Sequence, residues 1–272
     1  MPKQHTHLVV GAGKMGGALI SGWLNSNILK PENLIILDPN LGEAAKAAKR
    51  SGSMHLKKAS GSIRSVSYAL LAIKPQVFGA IAPSIEPHLA NDAVIISILA
   101  GTTMDSLQNA FPGRLIVRAM PNTPAAIGQG ITAYTKGSKA TDNQISMIEN
   151  LLSATGQVHH VANEHLIDVV TAISGSGPAY IFHMAEALEA AATHIGLPAD
   201  IAPEFARQTV IGASTLLAHT ETPASELRQN VTSPNGTTAA ALDVLMGPHG
   251  LASLMRETVQ AALKRAKELA EG

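Results

Sequence analysis

The 272 residues carry 20 Lys and Arg against 20 Asp and Glu, a balance that lacks the basic excess nucleic-acid binding draws on. The absence of cysteine excludes disulfides, thiolate catalysis and thiolate metal sites. Hydrophobic residues make up 46% of the chain and charged residues only 15%, with 3% aromatic, so Ala, Val, Ile and Leu must fill an interior suited to helices and parallel strands; the length favours two domains.

The N-terminal ten residues hold one lysine and a short apolar run ending at Gly11, too short for a signal sequence, and predict a first strand over 7–10. Strand-length apolar runs follow at 34–37, 68–73, 94–98 and 115–117, and two shorter ones at 131–134 and 158–161 add strands at the sheet edge. Helical stretches lie between them at 15–25, 43–50, 76–86 and 104–110. The alternation predicts a parallel sheet wrapped by helices. After Glu164 the strand signal gives way to Ala- and Leu-rich segments at 179–195, 203–218, 237–246 and 251–269, which predict an all-helical second domain. The boundary expected is therefore 1–164 for a dinucleotide-binding domain and 165–272 for a helical one. Within the latter, 185–193 has Glu186 and Glu189 as its only charges and 210–218 has none. Such segments form either the central helix of a monomeric core or a surface buried against a second subunit, and a domain this small favours the second. No uncharged stretch is long enough to span a membrane, because Gly175, Gly177 and Pro178 interrupt the longest; a cytoplasmic protein is expected.

Gly11, Gly13 and Gly16 form G-A-G-K-M-G between the first strand and the first helix, the context a dinucleotide fingerprint requires. The first glycine permits the tight turn, the second lets a pyrophosphate approach the backbone, and the third lets helix and strand pack closely, with the phosphates meeting the N–H groups around Lys14 and Met15. The second strand ends at Asp38, about 20 residues past Gly16, where an acid can accept hydrogen bonds from the adenosine ribose. An acid there leans towards NADH, because it repels a 2′-phosphate; Asp38-Pro39-Asn40 also reads as a turn capped by its own Asp. Lys74-Pro75, Ala100-Gly101-Thr102 and the loop from Met120 through Asn122 to Pro124 follow later strands at the same carboxyl edge.

Four phrases, Ala72-Ile-Lys-Pro-Gln76, Arg118-Ala-Met-Pro-Asn-Thr-Pro124, Ile173-Ser-Gly-Ser-Gly-Pro-Ala-Tyr180 and Asn230-Val-Thr-Ser-Pro-Asn-Gly-Thr-Thr238, stand in register with the Gly-rich loop. In this order the chain resembles the pyrroline-5-carboxylate reductase family over almost its whole length. The resemblance implies an N-terminal Rossmann-like parallel-sheet domain that binds NADPH or NADH and an all-α dimerisation domain, with reduction of 1-pyrroline-5-carboxylate to L-proline. It implies a homodimer, further assembled to a decamer in several members. It places the cofactor on Gly11, Gly13, Lys14, Met15 and Gly16, on Ala72, Ile73, Lys74 and Pro75, and on Ala100, Gly101 and Asn230, beside the rim residues Asp38 and Asn122. It places the substrate at Ser233, Gly236, Thr237, Thr238 and Glu221, with Ser176 nearby. Family members often carry Asn where this chain has Ala59-Ser60, and an acid where Tyr68 stands.

Reduction of a protonated cyclic imine needs no metal or strong acid, only two rings held together. Ser233-Pro-Asn-Gly236 reads as a turn into a helix whose N–H groups can seat the substrate carboxylate, or as an ordinary Ser/Thr N-cap. Thr238 is the candidate catalytic residue, donating a proton to the ring nitrogen or positioning it, with Glu221 offsetting the positive charge. Ile173 to Ala179 reads as a glycine turn for close approach or as a helix corner with Pro178 at its start. A β-hydroxyacid dehydrogenase would need a lysine on the helix after Gly175-Ser-Gly177, and none follows. A non-catalytic dinucleotide sensor would not need the Ser233 to Thr238 loop. His159 and His160 are adjacent and face opposite ways on a strand, so no metal is expected.

Overall fold

A computed structural model describes residues 6–137 and 140–271; the first five residues of the N-terminal run lie outside the described residues. Contacts divide the chain into two compact units, residues 1–175 with 263–272, and residues 176–262.

The first unit is an eight-stranded sheet with strands β1 (Thr6–Val10), β2 (Leu34–Leu37), β3 (Met54–Leu56), β4 (Val66–Leu71), β5 (Val94–Ser97), β6 (Ile116–Met120), β7 (Gly130–Lys136) and β8 (Gly156–His160). Their order is β3-β2-β1-β4-β5-β6-β7-β8; every neighbouring pair is parallel except β6 with β7. Helices α1 (Lys14–Asn25), α2 (Glu43–Arg50), α3 (Phe78–Ile85), α4 (Met104–Ala110), α5 (Asp142–Ser153) and α6 (Glu164–Val170) connect the strands or follow the last. Apolar runs become central strands because helices cover both faces: β2 and β5 are buried at every position. One core cluster takes Leu19, Ile20 and Trp23 from α1, a second takes Leu8, Ile95 and Phe111, and a small third takes Met120, Ala133 and Ile167. The Trp23 indole N–H donates to Leu151 O at 2.6 Å, fastening α1 to α5.

Strand order reverses at β1, which has β2 on one side and β4 on the other, and ligands of open parallel sheets bind beyond the strand ends at such a point. The pairings Val10 with Leu37, Val10 with Leu71, Leu37 with Leu56 and Leu71 with Ser97 bring the carboxyl ends of five strands to one rim. The 68–73 run is thus strand only to Leu71, and Ala72 to Pro75 leave the sheet as a loop. The sequence reading missed β3, which has three residues, and α5, α6 and the short helix Ala224–Asn230. Of these α5 carried a legible start, since Thr141 and Gln144 form a reciprocal capping box.

After α6 comes one π-helical turn, Thr171–Gly175, a form concentrated at functional sites. The second unit holds α7 (Gly177–His194), α8 (Ala202–Ala218), α9 (Ala224–Asn230), α10 (Thr237–Leu245) and the beginning of α11 (Leu251–Glu271), whose last turns belong to the first unit. No residue of α7 is buried within the chain, so α7 is not the central helix of a monomeric core. Phe182 is 64% exposed, Phe205 60% and Val244 75%, apolar surface on a scale that calls for a covering partner. Among the described residues no helix is long and apolar enough to cross a membrane, and no group of three or more His, Asp or Glu side chains is placed to hold a metal.

Candidate functional site

The Gly-rich loop turns at Gly11, whose φ of +95° favours glycine and whose added Cβ would stand 2.6 Å from Ala72 O. The ladder runs through this turn, since Gly11 N donates to Leu37 O at 2.9 Å and Ala72 N to Val10 O at 2.8 Å. At Gly16 an added Cβ would overlap the Gly11 carbonyl oxygen, so helix and strand pack backbone to backbone. Gly13 differs, because its Cβ would meet nothing within 4 Å. Gly13 is also the N-cap of α1; no side chain caps the helix and no acid stands in its first turn. The first N–H groups of α1 therefore face open space at the positive end of the helix, a seat that fits a pyrophosphate.

Asp38 is held at four points. Its N–H donates to Leu56 O at 3.1 Å and its carbonyl accepts from His55 Nε2 at 2.9 Å, while Oδ2 accepts from Ala12 N at 2.7 Å and Oδ1 from Asn40 N at 2.8 Å. The turn reading is thus realised: the acid closes its own turn, and it also ties that turn to the glycine loop. Asp38→Ala is expected to lower stability by about 1.5–3 kcal/mol, the range for hydrogen bonds to a charged group, and to loosen the loop. A thermal melt equal to that of the parent would refute this brace.

A cavity of about 440 Å³ opens beside the loop, and Gly11, Asp38, Lys57, Lys58, Ala59 and Ile73 are among its lining. The lysines escaped the sequence reading because the strand they follow was not legible. Lys74 caps a short turn opened by Pro75 and is exposed. Gly101, with φ +70°, leaves room for the backbone of α11 at Leu269. Asn122 is buried, and its Oδ1 accepts from Ile131 N at 2.9 Å, so its oxygen braces the start of β7.

Behind the rim lies a charged cluster the sequence reading also passed over. Arg118 on β6 is 1% exposed and pairs with Glu164 at 2.7 Å and Asp168 at 3.0 Å, successive turns of one face of α6. Glu164 Oε1 also accepts from Met104 N at 2.7 Å, at the first turn of α4. Arg118 thereby ties β6, α4 and α6 together just before the π-helical turn. The i, i+4 spacing of the two acids was the available signal.

In the second unit, the Ser233 to Gly236 turn passes through Asn235 at φ +60° and leads into α10. The ordinary Ser/Thr cap is not formed: Gly236 is the N-cap, no side chain caps it, and no acid stands in the first turn. Gly236 N donates to Ser233 O at 3.0 Å, and an added Cβ at Gly236 would overlap Ser233 Oγ. The N–H groups of Thr237 and Thr238 are left without helical acceptors, and Thr238, a partly buried residue, brings its hydroxyl to the same turn. Glu221 is exposed in the turn between α8 and α9, without an ion-pair partner among the described residues; Asn230 ends α9, and Ser176 precedes α7.

A doubly wound sheet with an uncapped glycine turn at its switch point, joined to a helical unit, defines a dinucleotide-dependent oxidoreductase. Residues 8–101 match the family described as NADP oxidoreductase coenzyme F420-dependent, and residues 164–269 match pyrroline-5-carboxylate reductase dimerisation. The pyrroline-5-carboxylate reductase of Synechocystis sp. is 37% identical over 96% of this chain and 97% of its own, and that of Pseudomonas aeruginosa 35% identical over 96% of each. The solved structure of a pyrroline-5-carboxylate reductase from Coxiella burnetii superposes with a TM-score of 0.89 at 31% identity, covering 98% of this chain and 99% of its own. The chain belongs to the pyrroline-5-carboxylate reductase family. Its cofactor is NAD(P)H, and its helical unit lies within a dimerisation domain whose exposed apolar helices a homo-oligomer buries.

Proposed function

We propose that the protein reduces 1-pyrroline-5-carboxylate to L-proline, the last step of proline synthesis, in the cytoplasm where an NAD(P)H pool serves biosynthesis. The carrying observation is the uncapped start of α10, a ready seat for a small carboxylate directly beside a threonine hydroxyl. The backbone N–H groups of Thr237 and Thr238 bind the substrate carboxylate, within the turn made by Ser233 and Gly236. The Thr238 hydroxyl hydrogen-bonds the ring nitrogen, Glu221 offsets the positive charge of the protonated imine, and Ser176 closes the site beside the ring. The bound dinucleotide supplies the hydride. Gly11, Gly13, Lys14, Met15 and Gly16 hold its pyrophosphate, Asp38 stands at its ribose, and Ala72, Ile73, Lys74, Pro75, Ala100, Gly101, Asn122 and Asn230 line its path. Catalysis then rests on holding two rings in a reactive geometry.

In this reading residues 1–164 bind the dinucleotide and residues 165–272 provide the substrate turn and the dimer surface, with dimers assembled to a decamer. Light scattering coupled to size exclusion checks the assembly, and a mass short of ten chains removes the decamer. The reaction is tested by following loss of NADPH or NADH absorbance on adding racemic pyrroline-5-carboxylate. Rapid imine-dependent oxidation is expected, and Thr238→Ala should slow kcat roughly 10- to 150-fold, as for loss of a hydrogen bond to a charged group. No oxidation by the folded protein would overturn the assignment.

A further inference from the structure

Asp38 taken alone argues for NADH, but its surroundings argue the opposite. We infer that the protein selects NADPH over NADH, and that Lys57 and Lys58 make the selection by binding the 2′-phosphate; this rests on the dinucleotide reading of the first unit. In that reading, a pyrophosphate at the start of α1 directs the adenosine ribose across the end of β2 and into the cavity beside it. Leu37 and Leu56 are register partners in β2 and β3, so Asp38 and Lys57 leave the sheet side by side. The two chain segments are pinned there by Asp38 N to Leu56 O at 3.1 Å and His55 Nε2 to Asp38 O at 2.9 Å. Both lysines then line the same cavity as Asp38.

Charge decides between the two cofactors. The Asp38 carboxylate already accepts one backbone N–H on each oxygen, from Ala12 and Asn40, which satisfies its charge locally and holds it in place as a loop brace. The lysines, by contrast, are exposed and have no ion-pair or hydrogen-bond partner among the described residues. Two lysines and one internally satisfied carboxylate in its lining give the cavity net positive character. A ribose hydroxyl draws little from that, whereas a 2′-phosphate, bearing close to two negative charges with three acceptor oxygens, takes charge-assisted hydrogen bonds from both. Because the pair is exposed, its preference weakens as salt rises.

The test is calorimetric titration of the full-length protein with NADPH and with NADH, without imine, so that binding is read apart from turnover. The parent is expected to bind NADPH on the order of ten- to a hundredfold more tightly, with the ratio shrinking between low and high salt. In Lys57→Ala/Lys58→Ala the ratio should collapse towards one, and in Lys57→Arg/Lys58→Arg it should persist, since charge rather than side-chain shape carries it. Equal affinity of the parent for both cofactors, or an unchanged ratio in the double alanine variant, overturns the inference and leaves the dinucleotide site standing. Failure of a folded protein to bind either one overturns the site as well.

Discussion

Gly16→Ala is expected to abolish dinucleotide binding and to lower the melting temperature by about 6–12 °C. The methyl group would overlap the Gly11 carbonyl oxygen and lie 3.1 Å from its carbon and 3.3 Å from Ala72 Cβ. None of these is the free end of a flexible side chain. Gly11 and Ala72 are fixed by hydrogen bonds to Leu37 and Val10 in the neighbouring strands, so the helix must move as a body. Overpacking of this kind costs about 1–3 kcal/mol, and a backbone obstacle puts it at the upper end or above; roughly 2–4 °C per kcal/mol converts that to the melting shift. Gly13→Ala is the control. Its Cβ meets nothing within 4 Å and its φ of −70° suits alanine, so the melt should move by less than about 2 °C. The methyl group would nevertheless occupy space the pyrophosphate needs, and binding should weaken strongly. If Gly16→Ala melts and binds as the parent does, the close packing of α1 on β1 does not shape the site.

The second large effect is expected at Arg118. Arg118→Met keeps most of the volume but leaves Glu164 and Asp168 without their cation, and breaking one partner of a buried ion pair costs about 3–5 kcal/mol. The loss should be read by denaturant unfolding. Adding Asp168→Asn to Arg118→Met should recover part of it, because one of the two uncompensated charges is then gone, a coupling that a double-mutant cycle isolates. Because Glu164 also holds the first turn of α4 and α6 leads into the π-helical turn, the single variant should also lose reductase activity before it loses its fold. A destabilisation under about 1 kcal/mol would show that the cluster contributes no more than a solvated surface pair does.

How much could be read in advance varies by element. The central strands were legible because burial on both faces leaves uninterrupted apolar runs, as at 34–37 and 94–98. β3 was not, since three residues including His55 make no run, and with it went Lys57 and Lys58. The helical second half was legible from Ala and Leu content, while α9, seven residues long and mostly polar, was not. Asp38 was legible as the residue at which the second strand ends, but where its carboxylate points depends on Ala12 N, 26 residues away.

The sequence by itself determined what local spacing can encode: the glycine turn between strand and helix, the alternation that makes a parallel sheet, and the turn before Thr237. Only the tertiary structure decided which groups meet across long separations. Arg118 finds acids 46 and 50 residues on, Lys57 comes to stand beside Asp38, and α10 begins without a side-chain cap. The physical reason is that a turn or an apolar run is fixed by neighbouring residues, whereas a hydrogen-bond or charge partner is fixed by strand order and register, which the packing of the whole sheet selects.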